Sequence, residues 1–322
     1  MLSSGVDHSV WTRHHTHNRQ QALLLLVAMT GFLGLLGYIL LGQKGLWLMA
    51  IAAIVPLFLT PSGSPRLVLR LYNARQLSPA EAPALFGVAH ELARRARLPR
   101  PPELFLVPSA VLNAFAVGHR DTSAIAVTHG LLTTLHPREI VGVLAHEISH
   151  VANNDLQVMG LADLITRMAS VLSLIGQFFL LLNLPLILMA EVHVNWWAVA
   201  LLVFAPQIML LAQLGLSRTR EFAADIQAVQ LTNDPEALAS ALSKIEHRQQ
   251  SLFQRLWPGL GLPQPSWLRT HPATEERIRR LLSLRPAALG SRAQILAAHF
   301  PSASFPRHPA PPRFHWTKGL WY

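Results

Sequence analysis

The sequence predicts an α+β protein, in which a mostly helical domain with a small sheet is combined with four transmembrane helices in two hairpins. Of its 322 residues, 51% are hydrophobic and only 14% are charged, against about 25% charged in an ordinary soluble protein. Charge is missing from two long stretches, since Lys44 is the only charged residue of 21–60 and Glu191 the only one of 168–216. Outside these stretches, helical periodicity alternates with short runs typical of strands.

The two uncharged stretches predict the membrane-spanning part of the chain. Each is long enough for two bilayer crossings of roughly 20 residues. The four predicted spans lie at about residues 22–41, 45–60, 168–189 and 195–216. A signal peptide is an alternative for the first span, but a second apolar run follows it at once, without a small-residue cleavage site. A buried helical hairpin is an alternative for the second pair, and the continuous apolar runs there favour membrane spans.

Composition and pattern divide the chain into six segments. These are a basic N-terminal segment (1–20), a transmembrane hairpin (21–60), the first part of a folded domain (61–160), a second transmembrane hairpin (161–216), the second part of the domain (217–286) and a proline-rich C-terminal tail (287–322). The elements expected in the domain are a helix capped by Ser78 and ending at Arg97, strands at 104–107 and 123–127 with a turn at 118–121 between them, a helix starting at Asp234-Pro235, and a short basic helix at 274–284. The tail is expected to be mostly unstructured or loosely packed on the domain.

The distribution of charge predicts the orientation in the membrane. All Lys and Arg residues except Lys44 lie before the first span, between the second and third, or after the fourth. Two hairpins place these regions on the same side, and the basic flanks Arg13 and Arg19 favour the cytoplasmic side. The net charge of +10 fits a basic face that meets anionic lipid headgroups. Nucleic acid is not an expected partner, because no basic module interleaved with aromatic residues is found.

The run His146-Glu147-Ile148-Ser149-His150 is the pattern that points most directly to chemistry. A helix around it is predicted by Pro137, which suits a first helical turn, and by apolar residues at helical spacing. On that helix His146 and His150 project from one face and can share one metal ion. Glu147 then lies beside an open coordination position, where a carboxylate can act as a base. The bare pattern also arises by chance in about a few per cent of chains, so a third ligand is needed.

Glu221 is the candidate for that third ligand. The chain contains no cysteine, so a zinc ion would have to be held by histidine and carboxylate groups. Glu221 and Asp225 are four residues apart and can face one centre from a helix. Glu221 would bind the ion, and Asp225 would accept the free ring N–H of a ligand histidine. The alternative is an exposed charged helix, in which Arg218 and Arg220 pair with the two acids.

Several ordered motifs resemble the HtpX-like membrane zinc metallopeptidases, relatives of the CAAX prenyl endopeptidases. They are Asn113-Ala114-Phe115-Ala116-Val117-Gly118, Thr128-His129-Gly130-Leu131-Leu132, Val143-Leu144-Ala145 through His150, Asp155, Ser217-Arg218 through Asp225, and Thr270-His271-Pro272. The resemblance covers roughly residues 20–285 and includes the two apolar hairpins. His129 departs from the family pattern by replacing a small hydroxyl residue, which has little bearing on catalysis.

The resemblance implies a zincin-type metalloprotease domain with one zinc ion per chain. The implied zinc ligands are His146, His150 and Glu221, and Glu147 is the implied general base. The other implied site residues are Asp225 beside a ligand histidine, Asp155 supporting the site helix, Asn113, Ala114 and Phe115 along an extended substrate, and His271 stabilising the oxyanion. For His271 the alternative is a His-Pro helix entry at the surface.

The function implied is that of a zinc-dependent, membrane-embedded endopeptidase. Its expected partners are membrane-protein or peptide substrates, misfolded or damaged ones above all, and the lipid bilayer. The expected location is a bacterial inner or plasma membrane, with a cytoplasmic catalytic domain. One alternative is a prenyl-peptide processing protease, which has more spans; another is a membrane scaffold or chaperone with a structural metal site, which usually has four protein ligands. The oligomeric state does not follow from the sequence.

Overall fold

A computed structural model describes residues 8–59, 65–189, 195–256, 274–284, 314–315 and 320–321. The chain divides into two compact units. The first, here called the apolar unit, consists of residues 16–61 and 157–220. The second, here called the catalytic unit, contains residues 62–156 and the chain from 221 onwards, together with residues 1–15.

The apolar unit is built from long helices. They are α1 (His8–Leu59), whose backbone leaves helical geometry at Gly42, α6 (Asp155–Leu182), the short α7 (Leu184–Leu188) and α8 (Trp196–Thr232). In the described part of the chain, three helical segments are long and apolar enough to cross a membrane: Gln20–Val55, Asp155–Leu182 and Trp196–Thr232. Met29, Leu33 and Leu36 of α1 belong to one buried cluster with Ile165 of α6 and Met209 of α8.

The helices that include the later predicted spans extend beyond them. α6 begins at Asp155, well before the predicted residue 168, and Arg167 donates to Asp163 at 2.7 Å across one turn of its charged first part. The helix that includes the predicted span 195–216 continues to Thr232. Hydropathy marks where charge begins, and a helix does not have to end there.

The catalytic unit contains the sheet, the remaining helices and the end of α8 from Glu221 onwards, which carries Glu221 and Asp225. In chain order its elements are α2 (Pro65–Leu71), β1 (Arg75–Gln76), α3 (Pro83–Arg95), β2 (Glu103–Val107), β3 (Ala114–His119), β4 (Thr122–Thr128), α4 (His129–Thr134), α5 (Pro137–Ala152), α9 (Pro235–Leu256), α10 (Thr274–Ser283), β5 (Phe314–His315) and β6 (Leu320–Trp321). β5 and β6 pair with each other. They fall within the tail that was expected to lack structure, and most of that tail lies outside the described residues.

The main sheet has the strand order β1-β2-β4-β3. β2 and β4 are parallel, whereas β1 and β3 are antiparallel to their neighbours. β4 is buried on both faces: Ile125 and Val127 join the core formed with α3, α5 and α9, and Ala124 and Ala126 pack with Leu69 of α2. β3 stands at the end of the strand order and is therefore an edge strand of the sheet.

The predicted helix start at Ser78 is wrong. α3 begins at Pro83, and the Ser78 backbone N–H and hydroxyl instead donate to Glu81 Oε2 at 2.9 and 3.0 Å. This local turn competes with helix formation, as serine side chains commonly allow. The strands predicted at 104–107 and 123–127 are confirmed within β2 and β4.

Candidate active site

Helix α5 carries the His-Glu motif, and its prediction is confirmed. Its first turn contains Pro137, and the backbone N–H of His136 donates to Glu139 Oε2 at 2.8 Å. Glu139 is buried, and it also accepts from Ser240 at 2.6 Å and from Lys244 at 2.8 Å, both on α9. The first turn of α5 is thus bonded to α9, and these bonds fix the position of the helix that carries the motif.

Three side chains converge where the sequence predicted a metal. Ligand atoms of His146, His150 and Glu221 all lie within 4.8 Å of one another. The Nε2 atoms of the two histidines are 3.0 Å apart. Glu221 oxygens lie 3.4 Å from His146 Nε2 and 3.7 Å from His150 Nε2. Ligands 2.0–2.2 Å from a tetrahedral zinc would be about 3.4 Å apart, so this donor set fits a zinc ion.

The second nitrogen of each imidazole faces a carboxylate. His146 Nδ1 is 3.0 Å from Asp225 Oδ1, and His150 Nδ1 is 2.7 Å from Asp155 Oδ2. A carboxylate at Nδ1 fixes the tautomer that leaves Nε2 as a metal ligand. Asp225 lies where the sequence predicted it. Asp155 was expected to support the site helix, and it does so through the His150 ring, because α6 begins at Asp155 directly after the turn that ends α5.

Arg277 of α10 is a site residue that sequence reasoning missed. Its guanidinium group is buried and lies 2.9 Å from Glu221 Oε2. It also donates to both oxygens of Asp225, at 2.7 and 2.8 Å. One signal was available: Arg277 is four residues before Leu281, which is buried on the inward face of the same amphipathic helix.

The pKa values reflect this dense packing of charge. Burial lowers the pKa of His146, but hydrogen bonds to Asp225 and Glu221 outweigh it and raise that pKa to about 10. A metal ion therefore has to displace a proton from this ring. Burial raises the pKa of the Glu147 carboxyl above its ordinary value, and this effect is partly offset by the neighbouring histidines and by the backbone N–H of Ala116, which donates to Glu147. A raised pKa suits a carboxylate that accepts and returns a proton near neutral pH.

The predicted substrate residues lie at the edge strand β3. Asn113 immediately precedes β3, has an exposed side chain and pairs through its carbonyl with the N–H of Thr128 at 3.0 Å. Because hydrogen-bonded and non-hydrogen-bonded pairs alternate along antiparallel strands, the register directs the N–H and C=O of Ala114 and Ala116 to the open side of β3. Phe115 faces α2, where its ring centroid is 4.9 Å from that of Tyr72. The predicted oxyanion residue His271 lies outside the described residues.

Comparison with known proteins points to one family of enzymes. The model of "Peptidase family M48" matches residues 79–285. The "Protease HtpX homolog" of Methylibium petroleiphilum is 32% identical over 292 residues, covering 84% of this chain and 98% of that protein. The protein of the same name from Acaryochloris marina is 36% identical over 277 residues, covering 77% and 88%. Among solved structures, the crystal structure of S. mikatae Ste24p aligns with a TM-score of 0.49 at 20% identity, covering 84% of this chain and 67% of that one.

Proposed function

This chain belongs to peptidase family M48, and from that premise we propose that His146, His150 and Glu221 hold one zinc ion beside the general base Glu147. The protein is a membrane-embedded zinc endopeptidase. The observation that carries the site assignment is the convergence of three donor atoms in which each histidine also has a carboxylate at its other nitrogen.

The chemistry divides between the metal and Glu147. Zinc bound at this site supplies a Lewis acid that activates water and polarises the scissile carbonyl. Glu147 accepts a proton from the attacking water and delivers it to the leaving amine. Its neighbours support this task, because the Ala116 N–H donates to the carboxylate and the site histidines favour its ionised form. Arg277 fixes Asp225 through two hydrogen bonds and Glu221 through an ion pair.

The substrate is proposed to bind as an added strand along β3. The N–H and C=O of Ala114 and the C=O of Ala116 would pair with an extended peptide, while the Ala116 N–H donates to Glu147; such pairing gives affinity with little demand on sequence. The exposed Asn113 side chain at the start of β3 would hold the substrate backbone. A site of low sequence preference in a membrane-embedded protein suits misfolded or damaged membrane proteins as substrates.

Four membrane spans are proposed, with the catalytic unit on the cytoplasmic side. Support for the first hairpin comes from Gly42, which has a left-handed φ of 63°, and from the contact of Gly37 with Gly45. A Cβ on Gly37 would lie 2.5 Å from the Gly45 carbonyl oxygen, whereas residues eight apart in a straight helix are separated by about 12 Å. The second hairpin is supported by Ser173 of α6, whose hydroxyl donates to the Leu202 carbonyl of α8 at 2.5 Å.

The number of ligands argues against a purely structural metal site. Structural zinc is usually closed by four protein ligands. In the described part of the chain, only three histidine or carboxylate side chains form a cluster that could hold an ion. Three protein ligands are the number that catalytic zinc sites use, with water at the fourth position.

The decisive experiment compares wild type with Glu147→Gln, each with its zinc content measured. Both are reconstituted with a membrane-protein substrate, and cleavage is followed by gel electrophoresis. We expect Glu147→Gln to keep its zinc and to cleave about 10²–10⁴ times more slowly. Glu103→Gln, an exposed carboxylate on β2, is the matched control and should retain full activity. Equal cleavage by zinc-loaded Glu147→Gln would refute the role of Glu147.

A second comparison tests the ligand assignment. Glu221→Ala should lose bound zinc, whereas Asp225→Asn should still bind zinc when the metal is in excess. Loss of zinc only from Asp225→Asn would overturn the assignment.

A further inference from the structure

Helix α2 has a fixed orientation on the sheet despite its seven residues. Leu69 is buried against Phe105 and Ala126 on the face of the sheet opposite α5. The C-terminus is closed by two bonds, from the Ala74 N–H to the Leu69 carbonyl at 2.9 Å and from the Asn73 N–H to the Arg70 carbonyl at 3.0 Å. Asn73 adopts a left-handed φ of 49°, as this type of helix end requires. The remaining side chains of α2 are therefore presented outward in a defined arrangement.

Two parallel stripes cover the outward side of α2. Leu67 and Leu71 are four residues apart and are 63% and 65% exposed, so they form one apolar stripe along the helix. Arg66 and Arg70, also four residues apart and exposed, form a basic stripe beside it. Within the described residues, no ion pair involves Arg66 or Arg70. An isolated exposed leucine needs no explanation, but adjacent leucine and arginine stripes are typical of helices that lie in a membrane interface.

We propose that α2 binds the membrane surface, with Leu67 and Leu71 among the acyl chains and with Arg66 and Arg70 on anionic lipid headgroups. Only residues 60–64 separate α2 from α1, which contains a segment able to cross a membrane. An extended connection of that length spans about 20 Å, so the covalent link keeps α2 close to the bilayer that α1 crosses. Charge complementarity favours anionic lipid over a second copy of the chain, because each copy carries a net charge of +10.

The lipid contact has a consequence for substrate binding, and this consequence alone rests on the proposed function. Tyr72, directly after α2, contacts Phe115 of β3 with ring centroids 4.9 Å apart. β3 is the strand along which we propose that substrate is added. Anchoring α2 in the interface would hold this strand at the membrane surface, where segments of damaged membrane proteins leave the bilayer.

The lack of cysteine makes a direct depth measurement possible. Single cysteines replace Leu67, Leu71 or, as the control, Arg94, an exposed helical residue of α3. The full-length protein is spin-labelled and reconstituted in phosphatidylcholine vesicles with about one third phosphatidylglycerol. We expect labels at 67 and 71 to be accessible to oxygen and protected from a water-soluble nickel complex, and the label at 94 to show the reverse. Nickel access at 67 and 71 equal to that at 94 would overturn the proposal, and so would protection from both reagents, which indicates a protein partner.

Charge and activity provide two further arms. Arg66→Gln with Arg70→Gln should raise nickel access at Leu71→Cys, and so should vesicles of phosphatidylcholine alone; no change in either case would disprove the headgroup contact.

Leu67→Ser with Leu71→Ser should lower cleavage of a membrane-protein substrate severalfold and leave cleavage of a short soluble peptide unchanged. An equal loss on both substrates would contradict the anchoring role. The depth measurement needs no activity, so failure of the proposed endopeptidase mechanism and failure of this proposal are distinguishable.

Discussion

Each histidine of the candidate site makes two kinds of contact, one at each ring nitrogen. The Nε2 atoms of His146 and His150 lie 3.0 Å apart beside Glu221, and the Nδ1 atoms face Asp225 and Asp155. This arrangement orients both rings before a metal arrives. Preorganisation of this kind lowers the cost of binding an ion, because the ligands do not have to be ordered at that moment.

The two aspartates are therefore expected to tune zinc affinity without binding zinc. Asp225→Asn and Asp155→Asn should each weaken zinc binding about 10- to 100-fold, because an amide no longer favours the tautomer with a free Nε2. The measurement is competition for zinc against a chelator of known affinity. Asp163→Asn serves as the control, since Asp163 of α6 pairs with Arg167 at a largely exposed position. An affinity loss in the control equal to that of the two site variants would contradict the prediction.

Arg277 balances two buried carboxylates in the metal-free protein. Burial lowers the pKa of Arg277, but Asp225 and Glu221 outweigh it and raise that pKa above its ordinary value. Removing one partner of a buried ion pair leaves uncompensated charge, which typically costs about 3–5 kcal/mol. A bound zinc ion would supply part of the missing positive charge.

Arg277→Met should consequently destabilise the metal-free protein more than the zinc-loaded protein. Thermal unfolding in detergent, with and without zinc, measures the difference. Arg279→Met on the same helix is the control, because Arg279 is exposed and surface substitutions usually change stability by less than about 0.5 kcal/mol. Equal destabilisation of the two metal states would show that Arg277 acts only in packing.

At the scale of elements, α5 and α9 are joined through one buried carboxylate. Glu139 accepts from the His136 N–H, Ser240 and Lys244. Burial raises the pKa of Glu139, but the hydrogen bonds from Lys244, Ser240 and the His136 N–H outweigh it and lower that pKa. The folded-state pKa of Glu139 is below its unfolded value of about 4.3. Ionised Glu139 therefore stabilises the fold above that unfolded value, and this stabilisation is lost as the pH falls from there through the folded-state pKa.

Glu139→Gln should therefore lower the free energy of unfolding by about 1–3 kcal/mol at pH 7. The difference between wild type and variant should shrink as the pH falls below about 4. Thermal unfolding as a function of pH measures both effects. Glu276→Gln, which removes an exposed ion pair with Arg280, is the control and should change stability by less than about 1 kcal/mol. A difference between Glu139→Gln and wild type that does not depend on pH would refute the linkage.

Local sequence predicted several elements because their signals are local. The Pro137 start and apolar spacing of α5, and the Asp234-Pro235 start of α9, lie within one or two turns of the residues that they organise. α3 was predicted four residues too early, because Ser78 and Glu81 satisfy each other in a turn. The edge strand β3 was expected only through the family resemblance, since its position in the sheet depends on pairing with β4.

At the scale of the whole molecule, the four proposed spans would place the N-terminus and the catalytic unit on one side of the membrane. A single cysteine at Arg13 or Asp121 should therefore react with a membrane-impermeant maleimide only after the cells are permeabilised. A cysteine at Lys44 should react in intact cells, because it lies in the turn of the first hairpin. Opposite accessibility of residues 13 and 121 would exclude the paired hairpins and indicate an odd number of spans between them.

The sequence by itself determined the chemical class of the protein. Two histidines four residues apart on an apolar helix and two charge-free stretches predict a metal site in a membrane protein, because these signals depend on short-range periodicity and composition. The peptidase activity was implied by the ordered motifs that resemble the HtpX-like metallopeptidases. Only the tertiary structure decided which carboxylate serves which histidine and that Arg277 enters the site, 131 residues after His146 in the chain. Contacts of this range follow from packing among distant elements, which local periodicity does not encode. Helix α5 and Glu221 of α8 therefore supply the proposed metal ligands, and the fold supplies the buried charges around them.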